Sequence, residues 1–565
     1  MNTIDTRRSR PAIAAIGAIL AMAVFAALPA WSVDSSVNPP PCPFSRGVNL
    51  TSWFEAPSPR QIQFSRFSKR DFEDLKRLGF DFVRLPINLH AMAGPAPEYR
   101  LDPLFLGFLD QAIDWAEAVG LYIIVDNHTF DPVVPTDPKV GDILVKVWPQ
   151  LASRYRSRSP LVVYEVLNEP HGIALDRWAR IQAKAIEAIR AEDQTHPIVV
   201  GSANYNNFRD IVSLPAYKDR NLIYTFHFYD PYLFTHQGAN WGDPVLTDLA
   251  GMPYPYDAKR MPKFPRSLSG MWLRGAYDNY RREGTDEHVR SLIDIAWEFA
   301  RKRGVPIFCG EFGAFQPNSA EEDRARWCRA TRSHLEARGI AWALWDYAGG
   351  FGIYSGPRGG SVDSDLSVPV AEALGLSIPP QRPRVRGPVV PPLEVYADYP
   401  APGIFTGGYG EPGSVDYYDE RAPASGRFSI RWGNCKRYRS FAFDFRDEQD
   451  LSTVSSSGGE LEFRARCSAA DAYIDVRFIN PGFAPGEIPW RMSMPIGPEL
   501  LPRDGEWHTV RIPLGDMKDS GGWRDGWFPS KGLFDWKRVA RLEFAAEHAD
   551  LDGIEFGFDE IRVVR

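Results

Sequence analysis

From residue 43 to residue 378, short apolar runs alternate with amphipathic stretches. Runs rich in Val, Ile, Leu and Phe between turn residues predict buried strands, and the amphipathic stretches predict helices. Such alternation is typical of parallel βα units, in which every strand is followed by a helix that covers the sheet. The predicted strands span residues 47–50, 80–86, 121–126, 161–167, 197–201, 221–227, 305–310 and 340–346.

Eight βα units of this length predict the α/β class and a (β/α)8 TIM barrel, with its active site at the carboxyl ends of the strands. Helix-start signals support the pattern, since Ser68 precedes one amphipathic stretch and the Asp102-Pro103 pair opens the next. The alternative is a doubly wound sheet, but no Gly-rich phosphate-binding loop follows residues 47–50. One long connection, rich in proline and aromatic residues, spans residues 230–284, and connections of that length usually carry function.

The pattern changes after residue 378, where a proline-rich stretch without apolar periodicity predicts a semi-rigid linker. Beyond it, short alternating runs separated by turn residues predict a separate all-β domain, a jelly-roll-like β-sandwich. The sequence thus divides into an N-terminal leader over 1–32, a barrel domain over 40–377, a linker over 378–394 and a sandwich over 395–565.

The leader has the organisation of a secretory signal peptide. Three arginines at positions 7, 8 and 10 precede an apolar run over 12–28, and a candidate cleavage site with the small residues Ala30 and Ser32 follows. The run is short for a membrane span, so we expect cleavage near Ala30 or Ser32 and a secreted or periplasmic protein. An uncleaved anchor is the alternative.

Charge and cysteine spacing narrow the possible partners. The formal net charge is −7, and removing residues 1–32, with three Arg and one Asp, leaves −9. An acidic chain has no electrostatic reason to bind nucleic acid, and a neutral substrate suits it better. Because the five cysteines show no metal-ligand spacing, we expect no metal and no cofactor. We also expect a monomer without a stable membrane partner.

Two glutamates follow predicted strands and point to a reaction. The fourth strand ends in Asn168-Glu169-Pro170, and the seventh runs directly into Glu311. Carboxyl ends of parallel strands meet at one edge of the sheet, so both carboxyls are expected at the barrel mouth. A pair of carboxyl groups about 5–5.5 Å apart is what hydrolysis of a glycosidic bond with retention of configuration requires.

Other polar side chains at the same edge can be given roles in this chemistry. Arg84 would keep the nucleophilic carboxylate ionised, and Tyr229 would donate a hydrogen bond to it. Asn168 would bind a sugar hydroxyl, and Trp345 would lie under the sugar ring. The complete candidate set is Arg84, His128, Asn168, Glu169, His227, Tyr229, Glu311 and Trp345. The two histidines would position hydroxyls and carboxylates.

At these positions the sequence resembles glycoside hydrolase family five, a family of retaining barrel glycosidases. The resemblance covers residues 44–375 and rests on the stretches at 84–86, 126–128, 167–172, 227–229, 234–238, 310–313 and 343–346. It implies a retaining β-glycanase with Glu169 as acid/base and Glu311 as nucleophile, without a cofactor. Many such enzymes carry two consecutive histidines after the third strand, whereas this chain has Thr129 after His128.

The residues and the resemblance together predict a secreted, cellulase-like endo-β-1,4-glucanase whose partner is a polysaccharide. Rival substrates are mannan, xyloglucan and other β-glycans. A metal-dependent barrel hydrolase is a weaker rival, because residues 47–50 lack the paired histidines of its first strand. A non-catalytic polysaccharide-binding protein is the rival from another class, although both glutamates are present. The sandwich resembles a carbohydrate-binding module in architecture, and it either binds sugar through its tryptophans or only braces the barrel.

Overall fold

The computed structural model describes residues 38–269, 272–356, 359–384, 387–409, 414–482 and 486–565. The predicted signal peptide lies outside these residues. Eight parallel strands close into a barrel in the order β1 to β8, which confirms the predicted TIM barrel. The strands are β1 (Arg46–Asn49), β2 (Phe82–Ile87), β3 (Tyr122–Asn127), β4 (Val162–Glu165), β5 (Ile198–Gly201), β6 (Leu222–Phe228), β7 (Ile307–Phe312) and β8 (Ala341–Leu344).

Helices surround the barrel strands and cover their outward side chains. They are α1 (Lys69–Leu78), α2 (Pro103–Val119), α3 (Val140–Tyr155), α4 (Leu175–Glu192), α5 (Ala203–Asn206), α6 (Tyr232–Thr235), α7 (Leu273–Glu283), α8 (Asp286–Arg303), α9 (Glu321–Ala337) and α10 (Val368–Ala373). The predicted helix starts are observed. Asp71 Oδ2 accepts a hydrogen bond from the Ser68 backbone N–H at 2.8 Å, and Asp102 caps α2 through the Leu104 N–H.

Inward-facing positions of the barrel change character along its axis. Side chains alternate between the two faces of a strand, so every second residue points into the barrel. At the amino-terminal end these residues are apolar, and Phe44 seals the barrel there with its ring centroid 4.4 Å from that of Phe82. Two residues further on, β2, β3 and β4 carry charge. The pairs, apolar residue first, are Phe82 and Arg84, Ile124 and Asp126, and Val163 and Glu165.

The long connection after β6 is partly helical, which its composition did not reveal. Proline and aromatic residues predict a loop, yet α6 and the eleven-residue helix α7 lie within it. The α7 helix buries Leu273 and Tyr280, which lie seven residues apart on one face, and most of its other positions are polar or charged. Tyr280 donates from its hydroxyl to the Pro253 carbonyl at 2.8 Å and thereby ties the helix to the rest of the connection.

The C-terminal region consists of two antiparallel sheets, in agreement with the predicted β-rich domain. A seven-stranded sheet has the order β10-β13-β20-β15-β16-β18-β19, and a six-stranded sheet has the order β11-β12-β21-β14-β17, with β9 paired to β21. The elements are β9 (Leu393–Tyr396), β10 (Ile404–Tyr409), β11 (Val415–Asp419), β12 (Ser429–Gly433), β13 (Ser440–Gln449), α11 (Ser452–Ser456), β14 (Glu460–Cys467), β15 (Ile474–Ile479), β16 (Trp490–Ile496), β17 (His508–Pro513), β18 (Lys518–Trp523), β19 (Trp527–Phe528), β20 (Val539–Ala545) and β21 (Glu555–Val564).

The sandwich contacts the barrel at the segment between β1 and α1. Tyr418 of β11 donates from its hydroxyl to the Ile62 carbonyl and accepts from the Phe64 backbone N–H at 3.3 Å. Its ring lies 5.0 Å from that of Phe108 on α2. Arg66 lies 4.9 Å from the ring centroid of Phe405 on β10. These contacts connect the sandwich to a loop that leads from the barrel mouth. Among the described residues, no helix is both long and apolar enough to cross a membrane.

Candidate active site

Arg84 occupies the centre of a polar layer at the carboxyl end of the barrel. It is fully buried, and its Nη1 donates to Glu311 Oε1 at 2.9 Å and to Asn49 Oδ1 at 3.0 Å. Its Nη2 donates to Asn168 Oδ1 at 2.8 Å. The structure therefore places a cation directly against Glu311, as the sequence predicts. Asn49 at the end of β1 was missed, and its only signal was a polar residue closing an apolar run.

Two further carboxylates surround the same guanidinium. Arg84 donates from Nε and Nη2 to both oxygens of Glu165, at 2.7 and 2.9 Å, and Nη2 lies 3.0 Å from Asp126 Oδ2. Burial would lower the pKa of Arg84, but the charges of Asp126 and Glu165 raise it well above its ordinary value. Burial raises the pKa of Asp126 to about 7 and also raises that of Glu165. Sequence reasoning did not select either carboxylate, although a charged residue within an apolar strand indicates a buried charge that needs a partner.

A bulge in β7 positions Glu311. Cys309 pairs with Phe226 of β6, but Glu311 pairs with His227, so Gly310 is an extra residue in the ladder. A side chain cannot replace this glycine without displacement of its neighbours. A Cβ there would lie 2.7 Å from Thr225 Oγ1 and 3.1 Å from His227 Nε2. Glu311 lies within β7, which extends to Phe312, and not just after the strand, as the sequence suggested.

Glu169 lies on a turn beyond its strand. β4 ends at Glu165, and Glu169 has a backbone φ of 44°, in the left-handed region that side chains other than glycine seldom adopt. Strained backbone of this kind is maintained at functional sites by surrounding contacts. One such contact is the hydrogen bond from the Asn168 N–H to the Asn127 carbonyl at 2.9 Å. The Glu169 side chain is 12% exposed, so its carboxyl faces the mouth while remaining largely desolvated.

The two glutamates approach each other across His227. His227 Nδ1 lies 2.6 Å from Glu169 Oε1 and 3.5 Å from Glu311 Oε2. One atom from each of the three side chains lies within 4.8 Å of the others. Tyr229 donates from its hydroxyl to Glu311 Oε2 at 2.8 Å, as predicted. The carboxyl groups are thus as close as a double-displacement site requires.

Burial and hydrogen bonding give the two carboxyls different proton affinities. Burial raises the pKa of Glu169 to about 8, against the opposing charge of Arg84. Burial also raises the pKa of Glu311, but the charge of Arg84 opposes that shift, and the hydrogen bonds from Arg84 and Tyr229 favour its ionised form. Burial lowers the pKa of His227 to about 4, so its imidazole is neutral near pH 7. Burial thus favours the protonated form of Glu169, while the hydrogen bonds to Glu311 favour its ionised form.

The remaining predicted residues form one wall of the site. His128 stacks on Trp345 with ring centroids 5.4 Å apart, and its Nδ1 lies 2.7 Å from Asp126 Oδ2. Its Nε2 lies 3.4 Å from Nδ2 of Asn168. Since the Asn168 oxygen accepts from Arg84, its amide N–H groups are directed away from the guanidinium. All eight residues selected from the sequence thus lie at the same mouth.

Thr129, which follows His128 after β3, has a structural role here. Its Oγ1 donates to Asn127 Oδ1 at 2.9 Å and accepts from the His90 backbone N–H at 3.0 Å. Asn127 Nδ2 in turn lies 3.4 Å from His90 Nε2. A hydroxyl thus connects the end of β3 to the segment after β2.

Aromatic side chains that sequence reasoning did not select line the rim of the mouth. Tyr205 is 41% exposed, and its ring stacks on His171 at 4.3 Å. Trp241 is 38% exposed and contacts the rings of Phe315 and Phe351. Exposed indole and phenol rings present apolar surface to water, which is unfavourable, and they are typical of binding surfaces. Tyr205 lies in the four-residue α5 and Trp241 in the connection after β6, and segments this short or irregular give no apolar periodicity.

The cluster of Glu169, His227 and Glu311 also has the spacing of a cation site, since each offers one ligand atom. The surrounding contacts match acid/base chemistry better. The guanidinium of Arg84 already neutralises Glu311, and Tyr229 donates to the same carboxylate. A divalent cation at this cluster would lie next to this fixed positive charge and would be repelled by it.

Comparison with known proteins agrees with the geometry. A family model for cellulases of glycosyl hydrolase family 5 matches residues 46–350. Endoglucanase 3 of Fibrobacter succinogenes is 28% identical over 338 residues, which are 55% of this chain and 50% of that protein. Endoglucanase C of Acetivibrio thermocellus is 28% identical over 324 residues, which are 54% of this chain and 91% of that protein. The chain thus spans half the length of the first relative.

Solved structures show the same barrel. One endoglucanase structure matches with a TM-score of 0.50 and 27% identity, covering 59% of this chain and 96% of that one. A hyperthermophilic endo-β-1,4-glucanase in complex with substrate gives the same TM-score and identity and is covered to 97%. The family model covers more than half of the 565 residues. The protein therefore belongs to glycosyl hydrolase family 5 and is a glycoside hydrolase with an endoglucanase-like catalytic barrel.

Proposed function

We propose that this protein is an exported, retaining endo-β-1,4-glucanase that acts as a monomer on a β-glycan polysaccharide. The observation that carries the proposal is the approach of the Glu169 and Glu311 carboxyls to within 4.8 Å at one mouth. That spacing leaves no room for a water molecule between carboxylate and sugar, which an inverting enzyme needs. The leader over residues 1–32 and the polymeric substrate both favour export.

Glu311 acts as the nucleophile in the first step. Its Oε1 is held by Arg84 and its Oε2 by Tyr229, so the carboxylate is fixed in orientation as it attacks the anomeric carbon. Glu169 donates its proton to the glycosidic oxygen as the bond to the leaving sugar breaks. The product of this step is an ester between the sugar and Glu311, while the leaving chain carries the proton.

Glu169 reverses its role in the second step. Having lost its proton, it accepts one from water, which attacks the anomeric carbon and releases Glu311. His227 remains neutral near pH 7 and holds Glu169 Oε1 in place throughout. Two inversions at one carbon retain the β-configuration. Arg84 contacts both Glu311 and Asn168, so the nucleophile and the group that binds the sugar hydroxyl form one unit.

The substrate is inferred from the relatives, which are named endoglucanases, and from the aromatic rim. Trp345 and His128 form a stacked pair at the catalytic end, and Tyr205 and Trp241 extend the apolar lining outward. A long lining of this kind suits an internal stretch of polymer. Mannan, xyloglucan and other β-glycans are the alternative substrates.

Substitution of each glutamate tests the proposal. Glu311→Gln should remove hydrolysis of every β-glycan, whereas Glu169→Ala should retain slow turnover on substrates whose leaving group needs no proton. Added azide should restore turnover to Glu169→Ala as a β-glycosyl azide. Reducing-sugar release on cellulose, barley glucan, mannan and xyloglucan identifies the substrate. Equal release by the wild type and Glu311→Gln would contradict the proposal.

A further inference from the structure

A pair of tryptophans is exposed on the sandwich and has no role in the barrel chemistry. Trp523 is 57% exposed and Trp527 is 53% exposed. They are direct cross-strand partners on β18 and β19. Partners in an antiparallel pair project from the same face of the sheet, with Cβ atoms about 5 Å apart. The two indoles therefore form one apolar surface, which we call the indole platform.

Glycine and arginine fix the orientation of one ring of the platform. A Cβ at Gly521 would lie 3.0 Å from Cζ2 of Trp527, so the indole lies directly against the glycine backbone. On the sandwich, Arg491 Cζ lies 5.8 Å from the centroid of the same ring. The ring is thus held along the hairpin while more than half of the residue stays accessible.

Other tryptophans of the sandwich are accounted for by the fold. Trp507 donates from its indole to the Ala422 carbonyl at 3.0 Å and packs under Arg466. Trp536 packs against Phe478 and Phe534. For Trp523, the described residues supply neither a ring partner nor an acceptor for the indole N–H. Because most of Trp523 is exposed, its indole contributes little to the stability of the sandwich. An exposed indole of this kind is typical of a binding surface.

The size of the platform selects the class of ligand. Two half-exposed tryptophans offer about 300 Å² of surface at most, because a whole indole buries about 150–250 Å². A stable protein partner or a second copy of the chain needs about 800 Å² on each side. A pyranose ring has a flat apolar face of C–H groups that matches an indole. Arg491 Nε is buried, so the guanidinium serves to hold the Trp527 ring, and the two indoles supply the contact surface.

The platform lies at the edge of its sheet opposite to the strand that contacts the barrel. In the seven-stranded sheet, β10 lies at one edge and β19 at the other, and β10 contacts the barrel through Phe405 and Arg66. Six strand spacings separate the two edges, which is about 29 Å. A sugar on the platform therefore occupies a second site and not an extension of the barrel groove.

We propose that Trp523 and Trp527 form a second polysaccharide-binding site, which holds the catalytic barrel on an insoluble β-glycan. The class of sugar rests on the proposed function. The proposal gives the sandwich a role in binding polysaccharide in addition to its contact with the barrel. The platform binds the apolar faces of consecutive sugar rings, and Arg491 holds the Trp527 indole on which one of them stacks. It adds affinity for a polymer surface without participating in bond cleavage.

Binding can be tested without catalysis. The full chain carrying Glu311→Gln, which cannot degrade the polymer, is mixed with insoluble cellulose or mannan, and the bound fraction is measured against protein concentration. We expect Trp523→Ala/Trp527→Ala in this background to bind at least about tenfold more weakly, because two stacking surfaces are lost. The matched control is Tyr438→Ala, which removes another aromatic side chain that is 60% exposed on the sandwich. Melting temperatures verify that every variant is folded.

The outcomes separate this site from the proposed function. Weaker binding of the double variant with unchanged binding of Tyr438→Ala supports the platform. Equal binding of all variants overturns it, as does a parent chain that binds neither polymer. If sedimentation shows a dimer that the double variant loses, the surface joins two copies of the chain and the proposal is wrong. Hydrolysis by the wild type with equal binding of the variants rejects the platform alone, whereas platform-dependent binding without hydrolysis rejects the proposed function alone.

Discussion

The mouth of the barrel and the interior of the sandwich are both buried, but they are stabilised by opposite means. At the mouth, one guanidinium contacts the carboxylates of Asp126, Glu165 and Glu311. In the sandwich, Phe441 stacks on Phe544 with ring centroids 4.9 Å apart, and its neighbours are further aromatic rings. Buried charges depend on complete pairing and on pH, whereas an apolar interior depends on contact area. The barrel therefore holds its chemistry in a region that single substitutions can disrupt.

The strongest test of this difference is Arg84→Met, a change of similar length that removes the charge. Three buried carboxylates would lose their common partner, which should lower the free energy of unfolding by about 3–5 kcal/mol. Hydrolysis should fall below detection, because Glu311 loses its orientation and its bias towards the ionised form. Urea denaturation of the full chain and initial rates measure the two effects. Wild-type stability in Arg84→Met would show that the mouth does not depend on this cation.

The bulge at Gly310 is tested by adding a single methyl group. Gly310→Ala would push against Thr225 Oγ1 and His227 Nε2 and move the histidine that holds Glu169. A displacement near 1 Å at a catalytic group should reduce kcat by about 100-fold.

Gly107→Ala is the matched control. Gly107 lies inside α2, and a Cβ there meets nothing within 4 Å. This variant should keep wild-type kcat and gain up to about 1 kcal/mol in the free energy of unfolding. Equal kcat in both variants would contradict the assigned role of the bulge.

The proton on Glu169 should make the stability of the mouth depend on pH. Its pKa is about 8 in the folded chain against an ordinary value of 4.5. Between these values the folded chain holds a proton that the unfolded chain has lost. Glu169 therefore contributes fully to the free energy of unfolding below about pH 4.5. This contribution decreases as the pH rises towards 8, by at most about 1.4 kcal/mol per pH unit. Hydrolysis should decrease only as the pH passes about 8, where Glu169 of the folded chain loses its proton.

Two variants separate this effect from the rest of the protein. Glu169→Gln removes the titrating group, so the wild type should lose stability relative to it as the pH rises from 5 to 8. Phe544→Leu in the sandwich should instead lower the free energy of unfolding by about 1–2 kcal/mol at every pH. A constant difference between the wild type and Glu169→Gln would refute a raised pKa at this position.

The smallest expected effect is at the contact between the two regions. Tyr418→Phe removes a hydroxyl that donates to the Ile62 carbonyl and accepts from the Phe64 N–H. The lost hydrogen bonds should cost about 1 kcal/mol in the free energy of unfolding. If the sandwich braces the loop between β1 and α1, kcat should also fall slightly on soluble substrate. Unchanged stability would mean that this contact does not stabilise the folded chain.

The sequence predicted the framework better than the details of the site. Strand positions and the two glutamates follow from apolar runs and from the polar residues that end them, and both are local signals. The bulge at Gly310 and the turn conformation of Glu169 depend on contacts with β6 and β3, which no local pattern records. Asp126 and Glu165 were missed because their role appears only when three strands bring them to one arginine. In the sandwich, the exposure of Trp523 and Trp527 depends on their place at the edge of a sheet.

The central claim is that Glu169 and Glu311 act together in a double displacement. Proton NMR of a soluble β-glucan oligosaccharide during the first minutes of hydrolysis reports the configuration of the newly formed reducing end before it equilibrates. The account predicts that the β-anomer appears first and the α-anomer follows by mutarotation. Initial release of the α-anomer would show a single inversion and would contradict the account.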